Sequence, residues 1–171
     1  MGAGRLAAGF LAFAVALTPS VRPRRAAAAS PNAAAAAARD SVRALSIRYA
    51  YGAAASLATA ALEPQARKGV ADSILASIAE WRLQALSRGG WYARPETWAA
   101  ADEAIRLKER AFGRDHRELA RTLALASTVH MLAGNGEQAE SLAQRSVTIY
   151  ERAADPDSLL PRVNVSIKVS A

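Results

Sequence analysis

The sequence predicts an all-α protein, a short array of antiparallel helical hairpins with about five helices. Three observations predict it. Residues 98–154 contain one amphipathic pattern twice, because a shift of 42 positions places Glu109-Arg110-Ala111 on Glu151-Arg152-Ala153. Turn signals, Gly113 and the segment Gly134-Asn135-Gly136, separate the helical stretches. The chain is also 51% hydrophobic but only 6% aromatic, which indicates a core built mainly from alanine, the strongest helix former, with leucine, valine and isoleucine.

Composition excludes several function classes. The chain has no cysteine, so disulfides and thiolate chemistry are excluded, while the compartment stays open. The net charge is +7, but four of the 22 basic residues precede residue 26 and all 15 acidic residues follow residue 39. The remainder therefore carries 18 basic against 15 acidic residues, interspersed along helices as on a solvated surface. We expect no nucleic-acid partner, and membrane contact only through an uncleaved leader.

The N-terminal segment 1–28 is predicted to be a signal or transit peptide. Leu6–Leu17 is apolar, no acidic residue precedes Asp40, and the alanines from Ala26 resemble a secretory cleavage site. The arginines within Arg22–Arg25 are instead typical of an organellar transit peptide. The sequence therefore leaves two localisations open: secreted or periplasmic, and organelle-imported.

Residues 29–39 hold six consecutive alanines without a packing pattern and predict a linker. The helical domain is expected to cover residues 40–158. Asp40 or Ser41 would cap its first helix, which continues to Leu62 with an interruption at Gly52.

The second helix is predicted from Gly69 to Gly89, and the third from Pro95, a favourable first helical position, to Phe112. The inward stripe of the second helix comprises Val70, Ile74, Ile78, Trp81 and Ala85. That of the third comprises Trp98, Ala101, Ile105 and Phe112.

The fourth helix is predicted to follow Gly113, with Asp115 and Glu118 as a capping box. Its inward stripe comprises Leu119, Leu123, Ala126, Val129 and Leu132. The fifth helix should bury Ala139, Leu142, Ser146, Ile149 and Ala153, and end at Asp155-Pro156-Asp157. From Val163 to Ser170 apolar and polar side chains alternate, which predicts that residues 159–171 form an extended tail.

Residues 95–155 resemble the 42-residue tetratricopeptide repeats of kinesin light chains and many bacterial proteins, and residues 69–94 do so loosely. The matching positions are Gly113-Arg114-Asp115-His116, Leu123, Gly134, Ala139-Glu140-Ser141-Leu142 and Ile149-Tyr150-Glu151-Arg152. Arg117 replaces the proline common in the family, and Ala126, His130 and Gly136 stand where larger packing residues are usual. The resemblance implies a solenoid with a concave groove lined by the first helix of each hairpin.

Such proteins usually bind a peptide or helix of another protein. The resemblance places Arg121, Ala124, Thr128, Met131 and Leu132 of the fourth helix in the groove, with Ala79, Arg82 and Leu86 as candidates from the second. Arg82 and Arg121 would either hold a partner's carboxylate by paired hydrogen bonds or remain solvated surface arginines. We therefore expect a noncatalytic protein–protein interaction scaffold without a cofactor.

Two alternatives depend on other residues. Trp81, Trp91, Tyr92 and Trp98 lie within 18 positions and would form a sugar-binding platform of an exported domain, or fill a loosely packed helix joint. Glu80, beside Trp81, is the candidate acid for a lytic enzyme that cleaves cell-wall glycan. His116 and His130 are 14 positions apart and lack neighbouring ligands, so no metal site is expected.

Overall fold

The computed structural model describes residues 29–153, and in this part of the chain helices joined by turns and loops are present, with no strand. The predicted all-α class is confirmed, with six helices rather than about five. They are α1 (Pro31–Ile47), α2 (Tyr51–Ala61), α3 (Asp72–Arg88), α4 (Pro95–Phe112), α5 (Arg117–Leu132) and α6 (Gly136–Ala153).

The six helices form three consecutive hairpins, α1/α2, α3/α4 and α5/α6. Each helix packs on the next one in the chain, and α3 also packs on α1 and α5. Within residues 29–153, the backbones of α2, α4 and α6 are not in contact, although the Arg145 side chain of α6 reaches Glu109 of α4. The array therefore has two layers: a contiguous layer of odd-numbered helices and a layer of separated even-numbered helices.

The three hairpins share the same helix-ending turn. In each, a backbone N–H just beyond the first helix donates to a carbonyl five residues earlier: Ala50 to Leu45 at 2.9 Å, Trp91 to Leu86 at 3.1 Å and Asn135 to His130 at 2.8 Å. The residue before each donor has a left-handed backbone: Tyr49 (φ 62°), Gly90 (φ 80°) and Gly134 (φ 82°). This is the Schellman arrangement, which satisfies the free carbonyls at a helix end.

The predicted linker at residues 29–39 is wrong, because α1 begins at Pro31. The Ser30 hydroxyl accepts a hydrogen bond from the Ala33 N–H at 3.2 Å and caps the helix. Asn32 accepts one from the Ala71 N–H at 2.8 Å, which joins the start of α1 to the start of α3. Alanine favours helix strongly, and these alanines form the first turns of a packed helix. The expected start at Asp40 or Ser41 therefore lies inside α1.

A single first helix from residue 41 to Leu62 is also wrong. The chain turns at Arg48, Tyr49 and Ala50, and Gly52 lies within α2. A β-carbon at Gly52 would meet the Trp91 ring at 3.5 Å, so this glycine lies in contact range of the loop between α3 and α4.

The predicted inward stripes describe the last hairpin well. The first four stripe residues of both α5 and α6 are buried, whereas Leu132 is 50% exposed and Ala153 is exposed. In α3 the prediction finds Ile78 and Ala85 but misses five more buried residues: Leu75, Ala76, Ala79, Leu83 and Leu86. The reason is that α3 contacts four other helices, so it is buried on more than one face. In α4, Ala101 is buried, but Trp98, Ile105 and Phe112 are only half-buried.

The predicted capping box of α5 is wrong in its first residue. His116 caps this helix, with its Nδ1 accepting from the Glu118 N–H at 3.2 Å, while Asp115 pairs with Arg152 of α6 at 3.1 Å. The preceding hairpin has the same kind of pair, between Asp72 at the start of α3 and Arg110 near the end of α4. In these two hairpins, an arginine in the last turn of the second helix thus binds an aspartate near the start of the first.

The predicted leader, residues 1–28, and the predicted extended tail, residues 159–171, lie outside the described residues. Among the six described helices, none has both the length and the apolar character needed to cross a membrane.

Candidate functional site

Five of the seven predicted partner-binding residues form one exposed strip along α5, which we call the α5 stripe: Arg121, Ala124, Thr128, Met131 and Leu132. They follow one another at spacings that keep them on one face of a helix. The side chains of Met131 and Leu132 are 53% and 50% exposed, although both are large and apolar. The α5 stripe therefore ends in an uncovered apolar surface at the C-terminus of α5.

The neighbouring surface belongs to α3. Counted from the shared hairpin turn, Ser77, Gln84 and Ser87 of α3 occupy the positions of Arg121, Thr128 and Met131 of α5, and all three are half-buried. The two helices pack side by side, and Arg121 binds Glu80 of α3. The odd-numbered layer thus presents polar side chains on α3, with the charged Glu80 and Arg88 at the positions of Ala124 and Leu132, next to the partly apolar α5 stripe.

Arg121 is engaged within the chain. Its Nε and Nη2 donate to the two carboxylate oxygens of Glu80 at 2.8 and 2.9 Å, and Nη2 also lies 3.0 Å from Glu118. The Arg82 guanidinium likewise pairs with Glu103 of α4 at 3.0 Å. A partner's carboxylate would have to displace Glu80 to bind Arg121 by a paired contact, whereas the Nε of Arg82 is buried and has no hydrogen-bond partner within the described residues.

Beneath Arg121 lies a buried cation, Lys108 of α4, whose side chain is only 3% exposed. Its ammonium group lies 2.7 Å from Glu80 of α3 and 3.0 Å from Glu118 of α5. Three helices therefore meet at one lysine. A buried ammonium requires such partners, because its transfer out of water is otherwise very unfavourable.

The surrounding charges shift two pKa values at this junction. Burial by itself raises the pKa of Glu118, but the hydrogen bond and charge of Lys108, with the charges of Arg121 and His116, outweigh burial and lower it. The hydrogen bond to Glu80 raises the pKa of Arg121 against the opposing effect of burial. Both shifts favour the charged forms, so the network acts as an electrostatic joint between α3, α4 and α5.

The two remaining predicted residues, Arg82 and Leu86, lie away from the α5 stripe. They line an open groove of about 570 Å³ between α2, the end of α3 and the start of α4. Its other lining residues are Gly52, Ala55, Ser56, Thr59, Ala60, Glu63, Trp91, Arg94 and Glu96. Leu86 is 7% exposed there, and Ala79, the further candidate, is 1% exposed and belongs to the core. The prediction that Ala79 lines a binding surface is therefore wrong.

The four clustered aromatic residues do not form one exposed platform. Trp81, Trp91, Tyr92 and Trp98 are all partly buried against the core. The Trp98 Nε1 donates to the Tyr92 carbonyl at 2.8 Å, and its ring stacks on His130 with centroids 6.3 Å apart. Trp91 lines the groove, with the Arg94 guanidinium 5.3 Å from its ring centre. Trp98 therefore packs between the loop before α4 and α5, whereas Trp91 belongs to the groove.

The residues considered for chemistry have structural partners. His116 caps α5 and stacks on Phe112 with ring centroids 5.1 Å apart, and His130 is buried against Trp98. The Glu80 carboxylate is held between Lys108 and Arg121. In the part of the chain that the structure describes, no group of histidine and acidic residues is arranged to hold a metal ion.

Sequence reasoning missed the lysine junction and the groove. A signal for the junction existed, because Lys108 falls between Ile105 and Phe112 on a stripe that is otherwise apolar or small. The groove had no such signal, since its lining combines α2, the end of α3 and the loop before α4, which are separate in the sequence.

No protein-family model matches this chain, and a search of curated proteins finds no match either.

Proposed function

We propose that this chain is a noncatalytic protein-interaction module of tetratricopeptide type, which binds a peptide or a helix from another protein along the α5 stripe and the adjoining surface of α3. The observation that carries the proposal is the uncovered apolar end of the stripe, Met131 and Leu132, on the contiguous layer of a hairpin array. Exposed apolar surface on a helical scaffold is a common feature of protein-binding sites.

The repeated hairpins support the repeat type. The three hairpins end their first helices with the same turn, and α4 and α6 bury equivalent residues at the 42-residue shift. An array of this kind holds its first helices in fixed register, so a long surface is available without rearrangement.

The chemistry of the stripe indicates what a partner would present. Met131 and Leu132 suit one or two apolar side chains, and methionine adapts its shape to different partners. Ala124 leaves room for close approach of a backbone. The exposed Thr128 hydroxyl donates to the Ala124 carbonyl at 3.0 Å and can accept a hydrogen bond from a partner. An amphipathic helix or an extended segment with apolar side chains on one face fits this order of groups.

Site-specific photo-crosslinking tests the proposal. A photoreactive residue at Thr128 of the full chain, in cells that produce it, should crosslink to a defined protein. The same residue at Gln144, an exposed position on α6, is the matched control and should give no such product.

Binding of the identified partner is then measured with purified proteins. Met131→Glu combined with Leu132→Glu should weaken affinity at least tenfold, or about 1.4 kcal/mol, because charges replace the apolar contact. Gln144→Glu should leave the affinity unchanged. Equal affinity of the stripe variant and the wild type would refute this site.

A further inference from the structure

The exposed side of α6 corresponds to a side of α4 that is covered. In α4, the stripe Trp98, Ala101, Ile105, Lys108 and Phe112 lies against α5. Three contacts show this: Trp98 stacks on His130, Lys108 binds Glu118 and Phe112 stacks on His116. The register of the α4–α5 contact is therefore defined along the whole helix.

The 42-residue shift carries the first four residues of this stripe onto Glu140, Ala143, Val147 and Tyr150 of α6. Ala101 and Lys108 are 0% and 2% exposed, whereas Val147 is 48% exposed and Ala143 and Tyr150 are half-buried. The burial of the other inward-facing residues is the same in the two helices. In α4 the buried residues are Thr97, Ala100, Ala104 and Leu107, and their equivalents in α6 are Ala139, Leu142, Ser146 and Ile149. The difference is confined to the side on which a following helix packs, and within residues 29–153 none packs there.

At the opposite end of the array, α1 exposes a side that is buried in the first helices of the other two hairpins. Aligned on the shared turn, Leu75, Ile78 and Ala85 of α3 correspond to Leu119, Thr122 and Val129 of α5, and all six are buried. The corresponding residues of α1, Ala34, Ala37 and Ala44, are exposed. They are small, which permits close approach of a second helix.

We propose that a second copy of this chain docks its α1 on the exposed side of α6, in the way that α5 docks on α4. The α4–α5 register then places Val147 opposite Ala37 of the second copy and Glu140 opposite its Ala44. It also places Glu137 opposite Arg48 of the second copy. The array continues from one molecule into the next.

Charge supports this occupant and this direction. Arg43 and Arg48 at the end of α1, and Glu137 and Glu140 at the start of α6, have no ion-pair partner among the described residues. Consecutive helices of the array run antiparallel, so the basic end of α1 meets the acidic start of α6. Complementary charge steers association and fixes register.

The contact uses a different surface on each copy, so it is heterologous. Each pair of copies keeps one free α1 and one free α6. Association is therefore concentration-dependent and continues beyond a dimer.

Sedimentation velocity of the full chain, from low to high micromolar concentration, tests the proposal. The wild type should form a series of oligomers. Val147→Glu blocks α6, and Ala44→Glu blocks α1 by facing Glu140. Each variant alone should be monomeric, but an equal mixture should form a dimer, because each supplies the surface that the other has lost.

Gln144→Glu adds the same charge at a position that corresponds to the exposed Asp102 in α4, and it should associate like the wild type. Circular dichroism checks that each variant keeps its helix content. A wild type that stays monomeric at every concentration overturns the proposal. Dimerisation of Ala44→Glu alone also overturns it, because it indicates a symmetric α6–α6 contact.

Cysteine crosslinking gives a result that does not depend on the glutamate variants. The natural chain has no cysteine, so Ala37→Cys and Val147→Cys each introduce the only thiol. Under mild oxidation, a mixture of the two should yield a crosslinked heterodimer. Absence of this product, or preferential pairing of Val147→Cys with itself, contradicts the proposed contact.

Discussion

Tyr49 occupies a backbone position where the other two hairpins have glycine. Its φ is 62°, while Gly90 and Gly134 have φ values of 80° and 82°. A residue with a β-carbon is disfavoured there by roughly 1–2 kcal/mol. Its side chain is 79% exposed and makes an edge contact with the Tyr51 ring, so no core packing requires a tyrosine.

Tyr49→Gly should therefore raise the free energy of unfolding by about 1 kcal/mol, because glycine adopts this conformation without strain. Urea denaturation of the full chain measures the change. Gly134→Ala is the matched test of opposite sign. It should lower the free energy of unfolding by a similar amount, because alanine is strained at a φ of 82°. The added β-carbon would meet no atom within 4 Å, so no steric clash contributes. An unchanged or lower stability of Tyr49→Gly would contradict the backbone argument.

The same tyrosine explains why the first hairpin is hidden in the sequence. Gly113 and Gly134 mark helix ends that can be predicted directly, because glycine favours the left-handed conformation. At Tyr49 the same turn forms without the signal, so the sequence predicts one interrupted helix where the structure has two. A turn determined by tertiary packing leaves no local pattern to detect.

Lys108 is the second residue for which the structure predicts a measurable change in the free energy of unfolding. Lys108→Met keeps a long flexible side chain but removes the buried cation, which leaves Glu80 and Glu118 paired with the exposed Arg121 alone. We expect a loss of about 3 kcal/mol of stability, since the removal of one partner from a buried ion pair is strongly destabilising. Arg110→Met on the same helix removes the exposed pair with Asp72 and should cost less than about 1 kcal/mol. Equal losses in the two variants would show that burial of Lys108 is unimportant.

At the scale of helices, the α4–α5 contact should depend on pH through Glu118. Its pKa in the folded chain lies below the ordinary value of 4.5. A carboxyl with a lowered folded pKa adds stability above its unfolded pKa, and this contribution is lost as pH falls through the folded pKa. Stability should therefore decrease as pH falls below about 4.5, and Glu118→Gln should reduce the slope of that decrease.

Unfolding by urea at several pH values between neutrality and the acid range measures this dependence. Asp102→Asn removes an exposed α4 carboxylate that has no ion-pair partner among the described residues, and it serves as the control. A slope that is the same for Glu118→Gln and the wild type would assign the acid sensitivity to other groups.

The helices themselves were predictable to different degrees. Helices α5 and α6 have regular stripes because each buries mainly one face, and the α5 stripe was recognisable as the opposite, exposed face. Helix α3 contacts four helices, so its burial pattern has no single period and its surface residues could not be assigned. Arg82 and Leu86 were misplaced for this reason. The alanines of α1 led to the prediction of a linker, because a run of alanines does not distinguish an apolar helix face from a polar one. In the structure they belong to a helix that is joined to the start of α3.

For the whole molecule, nearest-neighbour packing predicts an ordered pattern of stability. Among residues 29–153, the hairpin α3/α4 has a neighbouring hairpin on both sides, while α1/α2 and α5/α6 each have one. Amide hydrogen exchange, measured in dilute solution where copies are separated, should be slowest in α3 and α4 and faster in α1 and α6. Uniform protection across residues 29–153 would indicate a single cooperative core.

The unequal packing of the two layers has a mechanical consequence. The odd-numbered helices form the continuous wall of the array, but the even-numbered helices are separated, and α4 and α6 are linked by the side chains of Glu109 and Arg145. Spreading the even-numbered helices would break partly exposed ion pairs of about 1 kcal/mol or less, whereas separating the odd-numbered helices would open the core. We therefore expect the array to bend easily in the direction that spreads the even-numbered helices and to resist bending in the direction that separates the odd-numbered helices.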